Sequence, residues 1–96
     1  VPYELRLDVL AKQIHHVRSD LERLQRRRAK FGPAAVASMP AADRRRVVVW
    51  LTRLQARVRD VLAQGVLGDE ERLHMADSLR GIGRCIESMR QDRPSP

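Results

Sequence analysis

The sequence predicts an all-α protein, an antiparallel three-helix bundle with two long heptad-patterned helices and a shorter third. Three observations predict it. Apolar residues recur at alternating steps of three and four in three separate stretches, the spacing of helices that pack along a seam. Gly and Pro punctuate the chain between those stretches. No clean period-two alternation lies between turn signals, so no strand is expected.

The first helix is expected over about 3–31, with the seam Leu7, Leu10, Ile14, Val17, Leu21 and Leu24. Pro2 stands where a helix start tolerates proline. Gly32-Pro33 is expected to stop the helix, Gly as a left-handed cap and Pro because it cannot continue the backbone ladder. Arg28 takes the next seam slot and marks where the packed core ends, with Phe31 capping it. Ala34, Ala35 and Val36 offer a short turn of helix in the connection. Ser38 is expected as N-cap of the second helix, over about 40–64, with Pro40 near its first turn. That helix carries the seam Val47, Leu51, Leu54, Val58 and Val61, and Gly65 and Gly68 close it. Asp69, Glu70 and Glu71 open the third helix, over about 69–91, with the charge its N-terminal dipole favours. Its seam is Met75, Leu79, Ile82, Ile86 and Met89. Gly81 and Gly83 inside it each cost about 1 kcal/mol against Ala, so they are read as sites of close packing or as a weak point. Residues 92–96 form a frayed Pro-rich tail.

Residues 1–91 are thus expected to form a single domain, and 96 residues suit one small domain rather than two. Aromatic residues make up 3% and hydrophobic residues 43%, so the core must be aliphatic and full disorder is not expected. Seams of two apolar positions in seven are narrow for a monomeric bundle, which favours oligomerisation. The alternative architecture is a long helical hairpin that dimerises, its third helix completing a larger bundle.

No apolar run approaches the ~20 residues of a membrane span. No secretory leader is visible, and one cysteine, Cys85, rules out an internal disulfide framework, so a cytoplasmic, reducing home is expected. The chain begins at Val1, which fits a trimmed chain or an excised domain.

The net charge is +7, and of 19 basic residues only Lys12 and Lys30 are lysine. Arginine suits bidentate phosphate contacts, but an Arg/Ala/Val-rich composition also follows from a GC-rich genome, so placement has to decide. Residues 1–31 hold eight basic and four acidic groups, a net +4; residues 40–66 hold six and two, again +4; residues 67–96 hold five and six, a net −1. Arg23, Arg26, Arg27, Arg28 and Lys30 crowd the end of the first helix, where the dipole welcomes cations. Arg44, Arg45 and Arg46 stand near the start of the second, where the dipole opposes them and Asp43 compensates only in part. If the two helices pair antiparallel, both sets meet at one end and repel. That arrangement points to an anionic partner. The candidate nucleic-acid or anion-binding residues are therefore Arg23, Arg26, Arg27, Lys30, Arg44, Arg45 and Arg46.

The run Val47–Leu51 wraps more than one helical turn, so Val48, Val49 and Trp50 are candidates for a partner interface. Trp50 has a competing role as the largest core residue. His15 and His16 point about 100° apart on a helix and cannot ligate one metal in i, i+4 fashion. Cys85 lies beside the third seam and is expected buried and inert. No phosphate loop, metal-ligand spacing or nucleophile elbow appears. The expectation is a non-catalytic interaction module (adaptor, assembly or regulatory domain) that binds a protein partner and self-associates, with no cofactor, metal, catalytic residue or small-molecule substrate. The alternative is a basic accessory domain that contacts the phosphate backbone of nucleic acid.

Overall fold

A computed structural model describes residues 3–91 of the chain. Pro2 and the 92–96 tail lie outside the described residues, as does the side chain of Leu7. The described residues are all-helical: α1 (Tyr3–Arg26), a 3-10 turn (Arg28–Phe31), a short α2 (Pro33–Ala37), α3 (Ala41–Ala63) and α4 (Asp69–Gln91). At 23 residues α4 equals α3 rather than being the expected shorter third helix, because its seam continues to Met89. None of these helices is long and apolar enough to cross a membrane.

The α1–α3 connection departs from expectation in three ways. First, α1 ends at Arg26 rather than near residue 31. The Arg27 N–H donates to both the Arg23 and the Leu24 carbonyl at 3.1 Å, which tightens the last turn into 3-10 geometry. Continuing the α-helix would stack Arg26 over Lys30, extending the like-charged column that Arg23 and Arg27 begin; such i, i+4 pairs are unfavourable. Arg28 therefore leaves the seam and is exposed. Second, Gly32 is not left-handed: its φ of −68° and ψ of 161° are extended, the conformation forced on a residue preceding proline. Its carbonyl accepts the Val36 N–H at 2.9 Å, so Gly32-Pro33 starts α2, with Pro33 in the first turn. Third, Ser38 closes α2 instead of capping α3. Its hydroxyl donates to the Ala34 and Ala35 carbonyls at 3.0 and 3.3 Å. Pro40 is the N-cap of α3, and its carbonyl accepts the Arg44 N–H at 3.0 Å. The left-handed glycine is Gly65 (φ +67°), which ends the turn after α3.

The long-helix seams make the core. Val17 and Leu21 of α1, Leu51, Leu54, Val58 and Val61 of α3, and Met75, Ile82, Ile86 and Met89 of α4 are buried, and Val36 of α2 joins them. Ile14, Leu24, Phe31, Val47 and Leu79 pack against this cluster while partly exposed. Each fully buried aliphatic side chain contributes roughly 1.5–3 kcal/mol against exposure. Among the described residues, no polar or charged side chain is buried.

Ion pairs set the stagger. Arg18 of α1 grips Glu71, in the first turn of α4, through two hydrogen bonds of 2.8 and 2.5 Å. Asp20 meets Arg57 of α3 at 3.1 Å. Arg18 is thus level with the start of α4, with roughly 22 Å of α1 projecting ahead of it at 1.5 Å per residue. Val9, on the projecting stretch, is 64% exposed.

Candidate anion-binding surface

The arginines divide by place. Toward the α3–α4 turn, Arg18 pairs with Glu71, Arg57 with Asp20, and Arg72 with Asp69 at 3.1 Å, while exposed Arg59 has no carboxylate partner among the described residues. The Arg18 hydrogen bonds hold the Glu71 carboxyl below its ordinary value of 4.5, against a smaller opposing effect of burial. The Arg18 guanidinium is correspondingly held in its charged form.

Toward the other end, pairing fades. Arg26 makes only a loose, exposed contact with Glu22, one helical turn away, at 3.6 Å. Among the described residues, no carboxylate pairs with Arg23, Arg27, Arg28, Lys30, Arg45 or Arg46. All six side chains are exposed. Arg44 is half-buried. Arg44, Arg45 and Arg46 follow the first three residues of α3, whose unbonded N–H groups present positive potential; the Arg44 N–H already donates to the Pro40 carbonyl.

Beside these cations stands Val49, 49% exposed. Val48 and Trp50 are half-buried and pack against the core, so of the three apolar candidates Val49 is the one that faces outward. His15 and His16 are both exposed, and among the described residues no group of three His, Cys, Asp or Glu is placed to hold a metal ion.

One feature escaped the sequence reading. A cleft of about 530 Å³ opens between the C-terminal part of α1 and the middle of α4. Leu21, Leu24 and Gly81 give it apolar walls, and Arg28, Arg80 and Arg84 line it with charge. Asp77 also lines it, already 3.8 Å from Arg80, and half-buried Cys85 stands at the Arg84 end. Gly81 was read as a packing glycine or a weak point; a Cβ built there meets nothing within 4 Å, so its missing side chain leaves open space. Gly83 has only the Gln55 amide nitrogen within 4 Å, at 3.7 Å, so neither glycine permits a close helix approach. The signal in the sequence was Arg80 and Arg84, an i, i+4 pair flanking a helix-interior glycine, but bringing Arg28 to them requires the tertiary fold.

No known protein family, curated protein or solved structure matches the chain.

Proposed function

We propose that the chain is a non-catalytic helical interaction module that docks an anionic protein partner at its arginine-rich end and self-associates through α1. The observation that carries this reading is the segregation of arginines into a paired and an unpaired population. Surface arginines cost little when solvated, but like charges clustered without carboxylate partners, Arg23, Arg27 and Arg28 at the end of α1 and Arg45 and Arg46 in α3, repel one another and favour whatever anion relieves them. Val49 among them favours a protein surface with both acidic and apolar groups over bare phosphate.

The three long helices are taken as an antiparallel bundle. With Asp20 against Arg57, that arrangement sets the last turn of α1 level with Leu51. Arg44, Arg45 and Arg46 then lie roughly 9 Å further out, so the two basic sets form a stripe rather than one knot. Self-association draws support from the early part of α1, where Val9 is exposed and the seam residue Leu10 is only half-buried.

The second reading is phosphate-backbone binding to nucleic acid by the same stripe, favoured by the number of arginines lacking a carboxylate. Light scattering at low and high salt, with and without duplex DNA, separates the two. A dimer that ignores DNA and becomes a monomer on Leu10→Asp supports the protein-interaction reading. A complex with DNA whose affinity falls steeply with salt supports the second. A monomer indifferent to DNA, and to a glutamate-rich peptide, overturns both.

A further inference from the structure

We infer that the cleft between α1 and α4 is a binding site for a small amphipathic anion: an apolar body bearing one carboxylate or phosphate monoester. Three features of the cleft converge on that class. Its volume of about 530 Å³ lies inside the ~300–1,000 Å³ range typical of small-molecule sites. Its apolar surface is continuous with the core, since Leu21 is a core residue and Leu24 packs on the core, so an occupant's apolar body extends packing that already exists. Its charge is one-sided: three arginines face a single aspartate, and that aspartate stands beside Arg80. Arg28 and Arg84 carry no carboxylate partner among the described residues, and they come from different helices, the geometry that clamps an anionic head from two sides.

Gly81 explains the cleft's depth. A helix-interior glycine is unfavourable against alanine, and here it gives no compensating close contact with a neighbour. What it supplies is room above the α4 backbone, between the apolar walls and the arginines. The site is independent of α1 self-association, because its α1 residues, Leu21, Leu24 and Gln25, lie on the half of α1 that packs on the core, and the rest of its lining is on α4 or the 3-10 turn.

The test uses the intact chain and two probes, decanoate and decyl phosphate, each below its micellar concentration, followed by calorimetry and by amide shifts in NMR. Decyltrimethylammonium and decanol serve as controls for charge and for apolar partition. Saturable 1:1 binding of one or both anions, with shifts centred on Leu21, Leu24, Gly81 and Arg84, is the expected result. Preference between the two anions identifies the head group as carboxylate or phosphate. Gly81→Leu fills the cleft and is expected to abolish binding while leaving the protein folded. Arg28→Ala and Arg84→Ala, both at exposed positions, are each expected to weaken anion binding about tenfold, the loss of one charge-assisted contact. Equal binding of the cationic probe, shifts scattered over the surface, or full affinity in the Arg28→Ala, Arg84→Ala double variant would overturn the assignment.

Discussion

The two ends of this molecule use the same residue for opposite purposes. Around the α3–α4 turn, arginine is a structural clasp: Arg18, Arg57 and Arg72 each reach a carboxylate, and two of these pairs join different helices. Where α1 gives way to α2 and α3, Arg23, Arg27, Arg28, Arg45 and Arg46 have no carboxylate partner among the described residues, and those at the end of α1 repel one another. Arginines lacking a carboxylate are densest at that end, although Arg59 near the end of α3 and Arg84 of α4 also lack one among the described residues.

Four variants sharpen the comparison. Leu54→Ala has the largest expected effect. Leu54 is fully buried in the core that both ends share, so about 2–5 kcal/mol should be lost, and probes at either end should report one transition. Two separate transitions would mean that the ends are not one cooperative unit. Next, Gly81→Ala should stabilise the chain by about 1 kcal/mol, since the added Cβ meets nothing within 4 Å, and a melting curve reads this directly. Third, Arg45→Ala with Arg46→Ala should stabilise by about half a kcal/mol in total, by removing like charge just beyond the first turn of α3, where the dipole effect has already weakened. If the stripe binds phosphate, the same double variant should lower the slope of log affinity against log salt by about 2.

Glu71→Gln acts at the paired end and has a comparably small effect, about 0.2–1 kcal/mol, because the Arg18 pair is partly exposed. Its pH signature has a definite sign. Glu71 ionises more readily in the folded chain than at its ordinary value of 4.5, so its pair contributes fully above that value and fades as pH falls through the lower folded value. Acid unfolding should therefore be less steep in Glu71→Gln than in the parent chain. An unchanged acid profile would mean that the clasp contributes nothing to stability.

Much of this fold was legible in the sequence because hydrophobic periodicity is a local signal. The α3 and α4 seams emerge with Leu51, Leu54, Val58, Val61, Met75, Ile82, Ile86 and Met89 all buried. The α1–α3 connection was less legible. There Gly32, Pro33, Ser38 and Pro40 each have two standard uses, as a stop or as a start, and the choice depended on the extended conformation of Gly32 and on Val36 finding the core. Of the candidate surface, the basic clusters stood out as runs of arginine. What no sequence pattern shows is which arginines find carboxylates. Asp20–Arg57 and Arg18–Glu71 join residues far apart in the chain, and the cleft needs Arg28 brought to Arg84.

Under the proposed function, the arginine-rich end carries charge that strains the free chain and that an anion relieves. Thermal unfolding of the parent chain and of the Arg45→Ala, Arg46→Ala variant, across a series of sodium chloride concentrations, tests it most directly. The account predicts that the variant melts higher at low salt, and that the gap closes as salt screens the repulsion in the parent chain. A variant that melts lower than the parent at low salt would contradict it, because those arginines would then be holding the fold together rather than straining it.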